Sequence, residues 1–277
     1  MALEYSLPKV SNIVTISSSR PPVMAKFPRG SSTAQRHDTL PRQCHDAVLS
    51  LTPTVPLSDP DRTTMTVKAK LGSVIGQRRS VRRYLPGPIE QTVLERILLA
   101  ATQAPSAHNR QPWRFAVLDK ASVTETLAAA MGQRLRQDRT TDGDDPQAIE
   151  TDVARSYARL TEAPAVILIC ADMRDMDQYP DERRRNAEYL MAVQSTAMAA
   201  QNLLLAATQE GLGACVMCAP VFCPDVVIEA LSLPDGWQPQ MLITLGNPGN
   251  NGKNRTRLPL EAIVTWPRGK SGEGSAR

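Results

Sequence analysis

Aromatic side chains are scarce in this chain: three Phe, five Tyr and three Trp in 277 residues, or 4%. Hydrophobic content of 42% still supports a sizeable core. That core must be built from Leu, Val, Ala and Met rather than from rings. Charge of one sign is equally scarce. Thirty-two Lys and Arg against 28 Asp and Glu leave a net charge of +4, too little to argue for a nucleic-acid partner. Long apolar runs are missing too. None approaches the roughly 20 residues needed to span a bilayer, and Lys9, Arg20 and Lys26 interrupt any apolar signal core at the N-terminus. The expectation is a cytoplasmic protein with no membrane partner. There is no internal repeat. Metal ligands are few, with five Cys and three His. Cys215 and Cys218 form one C-x-x-C and Cys223 follows, but there is no second pair and no nearby His, and Cys44 is remote in sequence. A tetrahedral site would lack its fourth ligand, so no metal is expected.

Composition divides the chain near Met65. Residues 1–64 scatter Ser, Thr, Pro and Arg with no sustained helical or strand period, and read as a disordered or loosely structured extension. The same segment resembles a transit peptide in its Arg and Ser content, and Met65 is an alternative start. Residues 65–268 read as one globular domain and 269–277 as a flexible tail. Within the domain, helical spacing covers Val67 to Gln77, then Ile89 to Thr102, where Ile89, Val93, Leu94, Ile97, Leu98 and Ala101 share one face. Phe115 to Leu118 reads as a strand, Ser122 to Leu135 as a helix, Asp138 to Pro146 as a hydrophilic excursion and Ile149 to Leu160 as a helix. The apolar run Ala165 to Cys170 predicts a strand covered on both faces. Met173 to Arg185 is polar, as in a lid. Ala187 to Gln209 is Ala-, Leu- and Met-rich and predicts a long helix through a core or subunit interface, with Gly211 at its C-terminal stop. Ala214 to Met217 and Gln240 to Leu245 read as strands, Pro224 to Leu231 as a helix, and Ala262 to Trp266 as a last strand pairing outside its own subunit. Without a strict βαβ repeat, the class is α+β.

Two runs carry the chemistry. Arg78, Arg79, Arg82 and Arg83 place four cations in six residues around Ser80. An isolated cluster of this kind is commonly a solvated basic face. A phosphate monoester offers the other reading, because it carries close to two negative charges and is held bidentately by Arg. Arg255 and Arg257 supply a matching pair near the C-terminus. The second run, Pro105-Ser106-Ala107-His108-Asn109-Arg110-Gln111-Pro112-Trp113, packs amide and hydroxyl groups into a turn between a helix and a strand. Such a turn can face a planar polar ligand. His108 is read as an exposed turn histidine rather than a catalytic one, and Trp113 as core or interface.

Basic cluster, helix, polar turn and strand, in that order and spacing, resemble the N-terminal half of the flavin-binding nitroreductase family. The resemblance implies a central, mostly antiparallel sheet flanked by helices, FMN as cofactor, and a domain-exchanged homodimer with two flavins at the interface. Arg78, Ser80 and Arg82 would hold the phosphate or ribityl chain with Arg79 alongside, and Arg255 and Arg257 would complete the grip. Pro105, Ser106, Ala107, Asn109 and Gln111 would line the flavin ring and ribityl, and Gln194 would contact the ring from below. After Gly211-Leu212-Gly213, the backbone of Met217, Cys218 and Ala219 would pass the reactive edge of the flavin, near N5 for Cys218 and Ala219. The chemistry is then the flavin's, with no catalytic side chain. A Cys215–Cys218 redox dithiol is the alternative use of that stretch. The Glu-Gly pair of the better-known bacterial members is missing here, which puts nitroaromatic specificity in doubt.

The strings AHNRQPWRF, SYARL, MAVQSTAMAAQNLLLAA and MCAPVFCPD, with Asp142-Gly143-Asp144-Asp145-Pro146, further resemble the flavin domain attached to F420 γ-glutamyl ligases. That likeness covers residues 70–268, and residues 1–64 read as too short and too structureless to be a ligase domain. It implies ping-pong hydride transfer from a reduced nicotinamide, NAD(P)H, or from reduced F420 to a small unsaturated, quinone-like or nitro acceptor, with a dehydro-F420-like substrate as one option. The alternative is a flavin-binding or flavin-remodelling protein of the same fold without conventional reductase turnover.

Overall fold

The apolar run after Pro164 becomes the centre of the molecule because its two faces are both covered. In this computed structural model, which describes residues 72–267, β2 (Ala165–Asp172) is buried at every position. Alternate residues explain why. Val166, Leu168 and Cys170 pack with Leu127, Leu160 and Val227 on one side, and Ala165, Ile167 and Ile169 pack with Ile97, Leu98 and Leu203 on the other. Around β2 stand β1 (Trp113–Leu118), β3 (Gly213–Met217) and β4 (Trp237–Gly246), in the order β1-β2-β4-β3 with every neighbouring pair antiparallel. The aliphatic core expected from the aromatic shortage is what fills both faces.

Helix α1 is described over residues 72–77. It is followed by α2 (Gln91–Thr102), α3 (Ala121–Thr141), α4 (Pro146–Thr161), α5 (Glu182–Gln209) and α6 (Pro224–Leu231). Helices α3, α4 and α6 cover one face of the sheet, while α2 and α5 cover the other. Residues 74–267 belong to one of two compact units; the other, Ile16–Ser73, is described only at residues 72 and 73. The expected extension 1–64, Cys44 and the tail 269–277 lie outside the described residues.

The α+β class stands, and four local expectations change. Helix α3 runs on to Thr141, into the stretch expected as a hydrophilic excursion, because Arg139 bridges Asp144 and Asp152 at 2.5 Å each and ties its last turn to α4. Pro146 is the first residue of α4, where a missing N–H costs nothing, and the Asp145 carboxylate accepts the Ala148 N–H at 2.8 Å as its cap. Helix α5 starts at Glu182, capped by Asp181 on the Arg184 N–H at 2.9 Å, which shortens the polar lid to 173–181. Finally, Ala262 to Trp266 is no strand. Leu260–Ala262 is a single 3-10 turn and residues 264–267 have no regular structure. The expected pairing was with a second subunit, and among the described residues of this chain the run meets no sheet edge.

Helix α5 is, among the described residues, the one helix long and apolar enough to cross a membrane by length and composition. Its Ala192, Ala199, Ala200, Leu203, Leu204 and Ala207 are spent on the core instead. Gly211 ends it as expected, at φ 78°, with its N–H on Thr208 O at 3.1 Å and the Leu212 N–H on Ala207 O at 2.8 Å.

Candidate cofactor site

The basic cluster is held as an extended chain along the edge of the sheet. Ser80 bridges to Ala214 of β3 in parallel, and the Val81 N–H donates to Ala214 O at 3.0 Å. Val81 points inward and is buried, which leaves its neighbours Ser80 and Arg82 on the opposite side. Gly213 lets this chain come close: a Cβ there would stand 2.8 Å from Val81 Cβ and Cγ1. Tyr84 pins the far end. Its buried hydroxyl, whose pKa burial raises, reaches Val81 O at 2.8 Å and Thr244 Oγ1 at 2.7 Å.

The segment after β4 closes over this chain. The Gly249 N–H donates to Arg83 O at 2.9 Å and the Leu85 N–H to Asn247 O at 2.8 Å. Gly252, at φ 65°, packs where a Cβ would meet Arg79 Cβ at 2.8 Å. The two segments together enclose a pocket of about 160 Å³ lined by Arg78, Arg79, Ser80, Arg82, Lys253, Asn254, Arg255 and Arg257. Six cations and no carboxylate meet there. Arg79 is braced by Gly76 O at 2.5 Å and Arg78 O at 2.9 Å, and Arg257 by Arg255 O at 3.1 Å. The six guanidinium and amino groups keep donors for a dianion of phosphate size, which is the chemistry that uncompensated, convergent arginines suit. All six site residues expected at the two chain ends are therefore brought together. Lys253 and Asn254 were missed. The signal was present, since Lys253, Arg255 and Arg257 alternate as residues on one side of an extended chain do.

The polar turn between α2 and β1 holds the other expected group. Ala107–Asn109 form a 3-10 turn, and His108, Asn109 and Gln111 sit at φ 49°, 53° and 51°. Asn and, less so, His enter this region more readily than other residues; for Gln it is strained, and three such positions in four carry a cost. Ser106 Oγ accepts the Gln111 N–H at 3.0 Å, the Asn109 N–H donates to Ser106 O at 3.0 Å, and the Gln111 side-chain amide donates to Asn109 Oδ1 at 3.3 Å. The Ala107 N–H donates to Ser195 Oγ of α5 at 3.4 Å. Pro105, His108 and Asn109 are exposed, and so is Gln194, the residue before Ser195. The turn is thus anchored to the helix that carries Gln194. Trp113 is core, as expected, packed with Ala104 and Ala199.

Behind the turn lies a charged cluster that no local sequence pattern announced. Arg114 donates through Nη1 to Gln111 O at 3.0 Å and Trp113 O at 2.8 Å and through Nη2 to Asp175 at 3.5 Å, and its Nε forms an ion pair with Asp172 at 3.1 Å. The Asp172 side chain is fully covered and also accepts from the Arg174 N–H at 3.0 Å and Nη2 at 2.6 Å. Burial alone would raise this carboxyl. Hydrogen bonds from Arg174 and the charge of Arg114 outweigh it and hold the group below its usual range. Arg110 pairs with Asp177 at 2.5 Å.

At the end of β3, Met217 and Ala219 are half-buried and Cys218 is exposed, with Ala219–Phe222 forming a 3-10 turn. The dithiol alternative fails on distance. Cys215 and Cys218 are three steps apart on a largely extended chain, about 10 Å, beyond the roughly 7 Å that a disulfide tolerates between Cα atoms. Burial also raises the Cys215 and Cys223 thiols and pushes Cys170 up to about 12. No cluster of three or more metal-ligating residues occurs among the described residues. Gly213, Met217, Cys218 and Ala219 are not among the residues lining the basic pocket, and neither are the turn residues 105–111 or Gln194.

Comparison with known proteins agrees with this architecture. Residues 75–247 match the Nitroreductase family. The chain is 32% identical over 215 residues to an NADH dehydrogenase of Thermus thermophilus, covering 69% of this chain and 92% of that protein. It is 29% identical over 184 residues to the 5,6-dimethylbenzimidazole synthase of Rhodobacter capsulatus, covering 66% and 86%. Among solved structures it is similar to a nitroreductase of Desulfovibrio desulfuricans crystallised with FMN, with a TM-score of 0.56 and 26% identity, covering 72% of this chain and 98% of the other. A match over more than half of the chain settles membership: the chain is an oxidoreductase of the nitroreductase family.

Proposed function

We propose that this oxidoreductase uses FMN, accepting hydride from a reduced nicotinamide and passing it to a small unsaturated, quinone-like or nitro acceptor after the donor has left. The observation that carries the reading is the convergence of six cations from two ends of the domain on one pocket without a carboxylate. A phosphate monoester of close to two charges fits such a pocket, and neither a neutral nor a cationic ligand does. Bound FMN would supply two-electron redox chemistry. The residues supply the rest: Arg78, Arg82, Arg255 and Arg257 hold the phosphate and Ser80 adds a hydroxyl. Asn109 and Gln111 offer amide donors and acceptors to a pyrimidine edge, and the backbone of Met217 to Ala219 lies at the end of the strand that the pocket abuts. The FMN-bound relative and the relative named NADH dehydrogenase support the cofactor and the nicotinamide donor. The likeness to the flavin domain of F420 γ-glutamyl ligases keeps reduced F420 as a donor to be tested beside NADH and NADPH.

A homodimer is part of this reading. Leu258, Leu260, Ile263 and Trp266 follow the pocket on an arm that leaves them exposed, Trp266 at 84%, and the outer face of α5 exposes Leu190 and Met198. Apolar groups so placed suit burial against a second copy. The cytoplasm, where reduced nicotinamides are available, fits the redox chemistry.

The test is direct. Purified protein should be yellow with flavin absorbance, and the colour should bleach anaerobically with one of the three reductants and return with acceptor. A colourless protein that rejects added FMN defeats the proposal. A second reading, flavin remodelling, is favoured by one finding, the likeness to the 5,6-dimethylbenzimidazole synthase. It requires the flavin itself to be consumed once reduced in oxygen, so recovery of intact FMN after aerobic cycling excludes it.

A further inference from the structure

The turn at 105–111 contains its own contradiction. Three residues within four positions adopt φ near +50°, none is Gly, and two of them, His108 and Gln111, have no short polar side chain to ease that conformation. Local sequence would relax such a turn, so something outside it must hold it. Beyond the turn's own bonds, the contact with Ser195 and the Arg110–Asp177 pair, the cluster at the end of β2 reaches it from inside the fold. Arg114 donates to the turn at Gln111 O and to Trp113 O at the start of β1, and its remaining groups face Asp172 and Asp175. The covered Asp172 carboxylate is in turn locked by Arg174, and the Asp172 N–H donates to Pro112 O at 2.8 Å, next to Gln111.

We propose that Asp172 and Arg114 are positioning residues for the cofactor: through the Gln111 carbonyl they hold the turn in its strained shape, and thereby set flavin affinity and reduction potential without touching the flavin. This rests on the FMN reading above. The physical reason is preorganisation. Cofactor binding to a relaxed turn must first drive it into the strained shape, and that cost is subtracted from affinity and differs between redox states that the turn contacts differently. The planar guanidinium matters, because four acceptors at fixed angles cannot be served by a Lys ammonium.

Arg114→Met keeps the stem and removes the three donated hydrogen bonds and the ion pair with Asp172. FMN titration of the apoprotein should show affinity lower by about tenfold or more, since hydrogen bonds to charged groups contribute about that much each. The flavin potential, read against a reference dye, should shift as well. Arg114→Lys should behave like Arg114→Met. Adding His108→Gly, which makes one of the strained positions costless, should move affinity and potential of Arg114→Met back towards wild type while changing little in the wild-type background. A merely structural Arg114 would lower the thermal midpoint and leave the potential and the rescue unmoved. If Arg114→Met does not accumulate folded, Asp172→Asn is read by the same two measurements. Wild-type protein that binds no FMN would defeat the function reading. Wild-type protein that binds FMN, with variants of unchanged affinity and potential, would defeat this one alone.

Discussion

Removing one cation from the basic pocket separates a built phosphate grip from a solvated basic face. Arg78→Ala and Arg257→Ala each delete a group that lines the pocket, and neither group is in an ion pair among the described residues. Arg257 is exposed, and its hydrogen bond to Arg255 O at 3.1 Å lies on the surface, so the fold should scarcely register its loss. A charge-assisted contact is worth about 1.5–3 kcal/mol, which is about a tenfold to a hundredfold weakening at about 1.4 kcal/mol per decade. The control is Arg183→Ala, an exposed α5 residue outside the pocket. It lowers the net charge by the same single unit, from +4 to +3. Fluorescence titration of FMN at low and high salt should show the large loss in the two pocket variants at both ionic strengths, and a loss in Arg183→Ala only at low salt, where long-range attraction persists. Thermal midpoints of the apoproteins should agree with one another. If Arg78→Ala and Arg257→Ala purify with a full complement of flavin in high salt, the assigned grip is wrong.

Three further outcomes follow from the geometry. Gly213→Ala would put a Cβ 2.8 Å from Val81; overpacking there should cost about 1–3 kcal/mol and lower the thermal midpoint, and a midpoint unchanged from wild type would show that the basic chain does not press on β3 as described. Cys218→Ala should leave flavin bound, reducible and reoxidisable, because the residue is exposed and cannot reach Cys215; stopped-flow traces that lose only the oxidative half-reaction would restore the dithiol reading. Asp172 has a folded pKa depressed below its ordinary 3.8, so its contribution is complete above about pH 4 and is lost as pH falls through the lower folded value. Acid unfolding of Asp172→Asn should accordingly be less steep below pH 4 than that of wild type, and parallel curves would remove the clamp from the acid transition.

What the sequence made legible was what is local or periodic. An unbroken apolar run bounded by Pro164 announced the central strand, and one helical face announced α2, since both patterns follow directly from how a covered strand and an amphipathic helix bury their side chains. The basic pocket was legible in part for the same reason: its cations are dense in sequence. Lys253 shares an alternating pattern with Arg255 and Arg257 that was open to reading, whereas Asn254 has no such mark, and both matter only once a segment some 170 residues from the first cluster folds over it. Ala262 to Trp266 carries strand propensity, but the edge it was expected to pair with belongs to a second subunit, and within this chain it forms no strand.

The cluster behind the turn lies further from what sequence can reveal. Arg114 and Asp172 are 58 positions apart, and Asp172 alone reads as a polar residue ending a strand. Yet the turn did carry an indirect sign. Locally consistent sequences place Gly or Asn where the backbone turns left-handed, and here His108 and Gln111 stand in two of the three such positions. A residue kept where its own backbone preference opposes it implies that the opposing force lies elsewhere in the fold, and in this molecule the groups placed to exert it are the guanidinium of Arg114 and the covered carboxylate of Asp172.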